Sequence, residues 1–500
     1  MLKTLILVCI IFEPLCLQIL GDSVSWTNYR NTNNKLLNYY YSDPIYKWET
    51  EWLLDVPIDN FSFGNADTFR LRYLINLDNY VNGGPILFLT GKQQSFLLNI
   101  AIMEKAGLIR KFALPFDPTN YDISKELCLN NISYLGYLSS EQALADFASL
   151  IDHLKQKRIP GAENSPVIAI GGSYGGMLSA YMRIKYPHLV QGAIASSAPV
   201  YGFIDSSPRP ITYDKVIMNT FLSEGCNYGA IRNSIASLRN LSRTEDGRNY
   251  LSDLFYPTRK YQLRNPDDAN KIMKFLYVIF FNLAQSNYPY GVQFSGPLSV
   301  WPVAAACKHL SNVAKDDKEA VRNLKIVFDL YHSHLKNNLY NNPQKASTLF
   351  SEADVWTYQT CTEILFPTCS TGSDHEFFGV NCPLTLKNKF HFCKHKFGLK
   401  DSQMRPHWIT RNYGKTSFPT ATNIIFSNGK FDPWSVGSYS FDEDRQGPLF
   451  SLILKRGAHH YDLRGAHPRD TVEVKEVRDF ERQQIRNWIY EHSRSLWKQG

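Results

Sequence analysis

The stretch Pro166-Val-Ile-Ala-Ile-Gly-Gly-Ser-Tyr-Gly-Gly-Met-Leu-Ser-Ala-Tyr181 decides the architecture. Val167 to Ile170 is a short, continuously apolar run bounded by Pro166 and Gly171, the pattern of a strand covered on both faces in a parallel sheet. Beyond the turn, Met177, Leu178, Tyr181 and Met182 make one apolar face of a helix. Between them lies Gly171-Gly-Ser-Tyr-Gly175, a G-x-S-x-G element. A serine on so sharp a strand-to-helix turn projects its hydroxyl above the sheet edge, and glycines are needed where a Cβ would meet neighbouring backbone.

Working outward, Pro85-Ile-Leu-Phe-Leu-Thr90 and Gly192-Ala-Ile-Ala195 carry the same strand signature. From Glu141 to Arg158, Ala143, Leu144, Phe147, Leu150, Ile151 and Leu154 recur at helical spacing, and Ser139-x-x-Gln142 offers a capping box. Strand, helix, strand, helix, strand is the order of an α/β layer fold. After Pro199 the chain turns to long mixed segments with helical runs at Ala269 to Ala284 and Lys318 to His334. Strand-like runs return at Asn423-Ile-Ile-Phe426 and Leu449 to Leu454, ahead of a terminal helix from about Val474 to Ser493. The simplest organisation is an α/β domain in two parts, residues 22–200 and 408–500, interrupted by a largely helical insertion over 201–407.

A serine hydroxyl becomes a useful nucleophile only when a base removes its proton and an acid orients that base. On this kind of turn the partners follow in the order Ser, Asp, His. Asp432 stands just past the strand Asn423 to Phe426, and His459 and His460 just past the strand Leu449 to Leu454. Carboxyl ends of parallel strands converge on one face, where such a group assembles. Taken singly, Asp432-Pro433 is also an ordinary turn former, and spacing does not choose between the two histidines.

The whole chain sets the surroundings for this chemistry. Its 500 residues are 44% hydrophobic, 14% aromatic and 20% charged, which suits large folded cores and excludes a disordered or collagen-like chain. The net charge of +8 is spread rather than gathered into a basic block, which points away from nucleic acid. Met-Leu-Lys, an apolar run from Thr4 to Phe12 and Gly21 predict a cleaved secretory signal over residues 1–21, and no segment is expected to span a membrane. Seven cysteines lie past that stretch, an odd number in a disulfide-permitting compartment, and no CxxC pair suggests a metal. The sequons at Asn60, Asn131 and Asn240 suit a glycoprotein that is secreted or lysosomal.

Gly171-Gly-Ser-Tyr-Gly-Gly-Met-Leu-Ser-Ala-Tyr181, Lys185-Tyr-Pro-His-Leu189, Ala195-Ser-Ser-Ala-Pro199, Trp356-Thr-Tyr-Gln-Thr-Cys-Thr-Glu363, Asp432-Pro-Trp-Ser435 and Gly457-Ala-His-His-Tyr-Asp-Leu-Arg464 together closely resemble the S28 serine peptidases. The resemblance runs from about residue 47 to the C-terminus. It implies an α/β-hydrolase fold with a helical cap, no cofactor or metal, and exopeptidase cleavage next to proline, of the carboxypeptidase or the dipeptidyl peptidase kind. Carried over, Ser173 is the nucleophile, Asp432 the acid, His459 the base and the Tyr174 backbone N–H an oxyanion donor. Trp356 and Trp434 stand near a proline-binding pocket, and Cys226 with Cys307 and Cys361 with Cys393 form disulfides. The expected partner is a peptide with proline near the scissile bond, and a homodimer stays open.

The pattern also breaks. Thr90-Gly-Lys-Gln-Gln-Ser95 replaces the family's Thr-Gly-Asn-Glu-Gly-Asp, and the stretch around Gly107 to Pro115 is shortened. Asn287 stands where the family usually has Asp. These changes fall on the substrate side and spare the serine, aspartate and histidine. They favour one rival, a non-catalytic family member that binds peptides or protein partners; a second rival, an α/β-hydrolase esterase or lipase, is opposed by family motifs that extend well beyond the elbow.

Overall fold

A computed structural model describes residues 6–8, 49–92, 135–202, 213–255, 262–293, 297–332, 351–365, 376–378, 386–414, 418–439 and 447–497. Its centre is an all-parallel sheet in the order β1-β4-β5-β6-β9-β10. The strands are β1 (Ile6–Val8), β4 (Ile86–Lys92), β5 (Val167–Gly172), β6 (Gly192–Ser196), β9 (Ile424–Gly429) and β10 (Leu449–Leu454). Antiparallel β2 (Glu49–Pro57) and β3 (Thr68–Ile75) make a separate ribbon, and β7 (Val292–Gln293) and β8 (Pro297–Leu298) a short hairpin.

The apolar runs behave as expected of doubly covered strands. Ile86, Phe88, Val167, Ala169, Ala193, Ala195, Ile424 and Phe426 enter one core with the helices Ser140–His153 and Tyr174–Lys185. The alternate residues Leu87, Leu89, Ile168, Ile170, Ile194 and Ile425 enter another with Ile485 and Trp488 of the terminal helix Val472–Trp497. The side-chain period of two therefore delivers one set to each face, and every such residue is buried.

Five of the helices that lie between β6 and β9 in the chain surround a different core. Tyr213–Ser223, Tyr228–Ser242, Glu245–Phe255, Ala269–Gln285 and Asp317–His332 contribute Phe221, Ile231, Leu251, Leu276, Phe280 and Leu324 to it. The fold is thus an α/β hydrolase with a largely helical cap. Disulfides join Cys226 to Cys307 and Cys361 to Cys393, as the resemblance implies. Cys128, Cys369, Cys382, Asn131 and the altered segments 93–95 and 107–115 lie outside the described residues.

One local expectation is only half met. The Ser139 side chain caps the helix Ser140–His153 by accepting from Gln142 N–H, but the Gln142 side chain does not reach back. It is taken by Asp59 and by the Asn60 backbone N–H, stronger partners presented by the turn after β2.

Candidate active site

The sheet places the functional loops before any side chain does. Across the carboxyl edge, Gly172 lies opposite Ser196, Ser196 opposite Ser427, and Gly429 opposite Leu454. The turns after β5, β9 and β10, which carry Ser173, Asp432 and His459, therefore leave the sheet at one level.

Ser173 has φ 61° and ψ −126°, a left-handed conformation that an L side chain adopts at a cost of about 1–3 kcal/mol. The surroundings hold it there. Ser173 N–H donates to Ser196 O at 2.9 Å, and Thr90 Oγ1 donates to Gly175 O at 2.7 Å. A Cβ on Gly171 would stand 2.3 Å from Gly175 O, so only glycine permits the strand and the helix to approach this closely. Ser173 itself is buried at 4% exposure.

Asp432 caps the short turn Pro433–Gly437, its Oδ1 accepting from Trp434 N–H at 3.1 Å. Its Oδ2 lies 2.7 Å from His459 Nδ1, with both side chains fully buried. With Nδ1 paired, Nε2 is the ring's other nitrogen, and among the described residues it has no hydrogen-bond partner. Asp432 thus pairs with the first of the two adjacent histidines. The His460 backbone N–H is spent on Ser197 Oγ at 2.7 Å, and its ring lies over Gly172, 4.3 Å from the His459 ring.

The loop that carries His459 is braced from both sides. Arg478 of the terminal helix donates to the carbonyls of Tyr461, Asp462 and Arg464. The Asp462 carboxylate accepts from Ser196 Oγ at 2.6 Å and Ser427 Oγ at 2.8 Å, tying the loop to β6 and β9. From the cap, Gln285 O accepts from His459 N–H at 3.0 Å and Tyr288 Oη donates to His459 O at 2.5 Å. Burial pushes the Tyr288 hydroxyl up to about 12, so it stays a donor at every physiological pH.

Both aromatics expected near the substrate pocket are half-buried beside these residues. Trp356 meets the Tyr174 ring edge-on with centroids 5.6 Å apart. Trp434 packs edge-on against Tyr213 and Phe281 at 5.3 and 5.5 Å. Asn287 is fully buried, its Oδ1 accepting from Val303 N–H at 3.2 Å, a structural use within the cap. Of the described sequons, Asn240 is exposed, whereas Asn60 Nδ2, the atom a glycan would occupy, donates to Gln142 Oε1 and Asp146 Oδ1.

A buried polar nest behind Tyr174 escaped the reading of the sequence. Glu363 accepts from Ser140 N–H at 2.8 Å, Ser140 Oγ at 3.0 Å and Gln359 Nε2 at 2.9 Å. Gln359 Nε2 also donates to Tyr174 Oη at 2.6 Å, and Tyr413 Oη to Ser140 Oγ at 2.9 Å. Burial raises the Glu363 carboxyl to about 7 despite these donors. The one local signal was the i, i+4 spacing of Gln359 and Glu363, which puts them on the same helical face.

A parallel sheet with helices on both faces, a helical cap and a serine on a strained strand-to-helix turn define a hydrolase of the α/β class. The sequence profile described as Serine carboxypeptidase S28 matches residues 56–481. The chain belongs to this family and is a serine peptidase. It is 40% identical to the prolyl carboxy peptidase like protein 5 of Caenorhabditis elegans, over 97% of each chain. It is 35% identical to the lysosomal Pro-X carboxypeptidase of Homo sapiens and 36% identical to that of Pongo abelii, each over 88% of both chains.

Proposed function

We propose that this chain is a secreted or lysosomal exopeptidase that cleaves prolyl peptide bonds through Ser173, His459 and Asp432, acting at the carboxyl end of its substrates. The observation that carries the reading is the fully buried 2.7 Å contact between Asp432 Oδ2 and His459 Nδ1, which leaves Nε2 without a hydrogen-bond partner among the described residues. Support for the substrate class and the compartment comes from the Pro-X carboxypeptidase relatives.

In this mechanism Ser173 Oγ attacks the scissile carbonyl while its proton passes to His459 Nε2. Asp432 holds the imidazole in the tautomer with Nδ1 protonated and stabilises the imidazolium. The Tyr174 backbone N–H is a donor to the oxyanion, a contribution for which about 10²–10³ in kcat is typical. His459 returns the proton to the leaving amine, and water, activated by the same base, hydrolyses the acyl-Ser173 ester. Trp356 and Trp434 supply the apolar surfaces against which a prolyl ring packs.

The reading is tested by fluorophosphonate labelling of the purified protein beside Ser173→Ala at acidic and neutral pH, followed by prolyl peptides blocked at one end or the other. Labelling of wild type alone, with turnover of amino-blocked peptides, is expected. A well-folded wild type that does not label overturns the enzyme mechanism, and turnover only of carboxyl-blocked peptides overturns the assigned polarity.

A further inference from the structure

We infer that Gln285, the last residue of the cap helix Ala269–Gln285, is a positioning residue that ties the Trp434 surface to the orientation of the His459–Asp432 pair. The inference rests on the proposed roles of those two residues. It concerns a contact that neither the family motifs nor the relatives' names assign.

Four residues close a circuit. Gln285 Oε1 accepts from the Trp434 indole Nε1–H at 3.2 Å. The Trp434 backbone N–H donates to Asp432 Oδ1 at 3.1 Å. Asp432 Oδ2 meets His459 Nδ1 at 2.7 Å, and His459 N–H returns to the Gln285 carbonyl at 3.0 Å. The amide can sit only one way round, because an indole N–H is purely a donor and must face oxygen. Gln285 Nε2 accordingly donates to Asn282 Oδ1 at 2.5 Å, one turn back on its own helix.

The backbone of Gln285 therefore fixes where His459 starts, and its side chain fixes the indole whose backbone supports the acid. Gln285, Asp432 and His459 are buried at 2%, 0% and 0% exposure, while Trp434 is half-buried. A ring seated on Trp434 thus presses on the most exposed member of the circuit. Small displacements of an attacking or accepting atom are costly, with about 10²-fold in rate quoted for 1 Å. Freeing the indole from its acceptor is enough to loosen the Asp432 cap and, with it, the imidazole direction.

The test uses the full-length protein with Gln285→Met, which keeps the volume and the backbone carbonyl but removes the indole acceptor, beside Trp434→Phe and the double variant. Rates are normalised to titrated active sites, so that loss of folded protein does not count. The expectation for Gln285→Met is a fall of about tenfold in both kcat and the fluorophosphonate inactivation rate, with KM changed less than about twofold. The double variant is expected to lose no more than Trp434→Phe alone, since the two residues act through one bond. Additive losses, or a fall confined to KM, overturn the proposal.

A readout independent of catalysis keeps it separable from the proposed function. The Trp434 indole N–H resonance, identified by its absence in Trp434→Phe, and the low-field proton of the His459–Asp432 bond are both expected to shift in Gln285→Met. If wild type and Ser173→Ala label alike, the nucleophile assignment fails while these shifts still judge the circuit. If neither resonance moves, the circuit is wrong whatever Ser173 does.

Discussion

Asp432 and Glu363 occupy two regions of equal burial, both at 0% exposure, and the chain gives them opposite surroundings. Asp432, past the end of β9, faces an imidazole that can accept a proton and become a cation 2.7 Å away. Glu363, at the end of the cap-side helix Ser351–Thr362, receives hydrogen bonds among the described residues from neutral groups, the Ser140 N–H and Oγ and the Gln359 amide. Burial then drives the Glu363 carboxyl toward its protonated form, up to about 7. The difference teaches that burial does not make a catalytic carboxylate. An imidazole partner suits Asp432 to the proposed catalytic role, whereas a nest of neutral donors suits Glu363 to a structural one.

The largest effect that can break this comparison is on rate. Asp432→Asn keeps the oxygen that accepts Trp434 N–H but presents an amide to His459, which favours the wrong tautomer. The expected loss is about 10³–10⁴-fold in kcat/KM with folding retained. Glu363→Gln, equally buried and equally conservative, is expected to stay within about threefold of wild type. Steady-state kinetics on a prolyl peptide, with circular dichroism of both variants, decide it. Similar losses at the two sites would mean that Glu363 takes part in the chemistry and the contrast is false.

A smaller effect is on stability as a function of pH. Glu363 has a folded pKa near 7 against 4.5 for the free group, and Asp146, buried beneath Asn60, stands near 8 against 3.8. A carboxyl with a raised folded pKa favours the native state while protonated, so its contribution is whole at low pH and is lost as pH rises from the unfolded value through the folded one. For Glu363 that window is about pH 4.5 to 7, with a loss on the order of 3 kcal/mol. His153 and His467, whose pKa values burial lowers, oppose the trend at the acidic end. The expected result is a thermal midpoint higher at pH 5 than at pH 7.5, with a flatter profile in Glu363→Gln. A wild-type midpoint that rises over the same interval would place the ionised form of Glu363 as the native one.

What was legible in the sequence follows the range of the forces involved. The five main strands and the turn of Ser173 could be read because apolar runs closed by glycine and proline are local facts. Asp432 and His459 could be read as late partners because strand ends converge. The choice of His459 over His460 depends on which ring meets Asp432 across 27 residues, and no spacing carries that. Glu363 was hidden for the same reason, since beyond the neighbouring Gln359 its nest draws on Ser140, Tyr174 and Tyr413 from three distant parts of the chain. The capping box at Ser139 and Gln142 failed by half because Asp59 and Asn60, far away in sequence, compete for the amide.

The smallest effect sharpens the comparison inside the Glu363 region itself. Tyr181 and Tyr413 stack with ring centroids 3.7 Å apart and planes within 4°, and both are buried. Tyr413 Oη donates to Ser140 Oγ, which passes its own proton toward Glu363, whereas Tyr181 Oη has no partner among the described residues. Removing a bonded hydroxyl loses about 1 kcal/mol, and removing a buried unbonded one relieves a desolvation penalty of similar size. Tyr413→Phe should therefore lower the urea midpoint, and Tyr181→Phe should leave it unchanged or raise it, although the two substitutions delete the same atom from opposite sides of one stack. Equal destabilisation by both would mean that the hydroxyls matter only through packing, and that the donors around Glu363 do not form the directed chain by which a neutral nest holds a carboxyl in place.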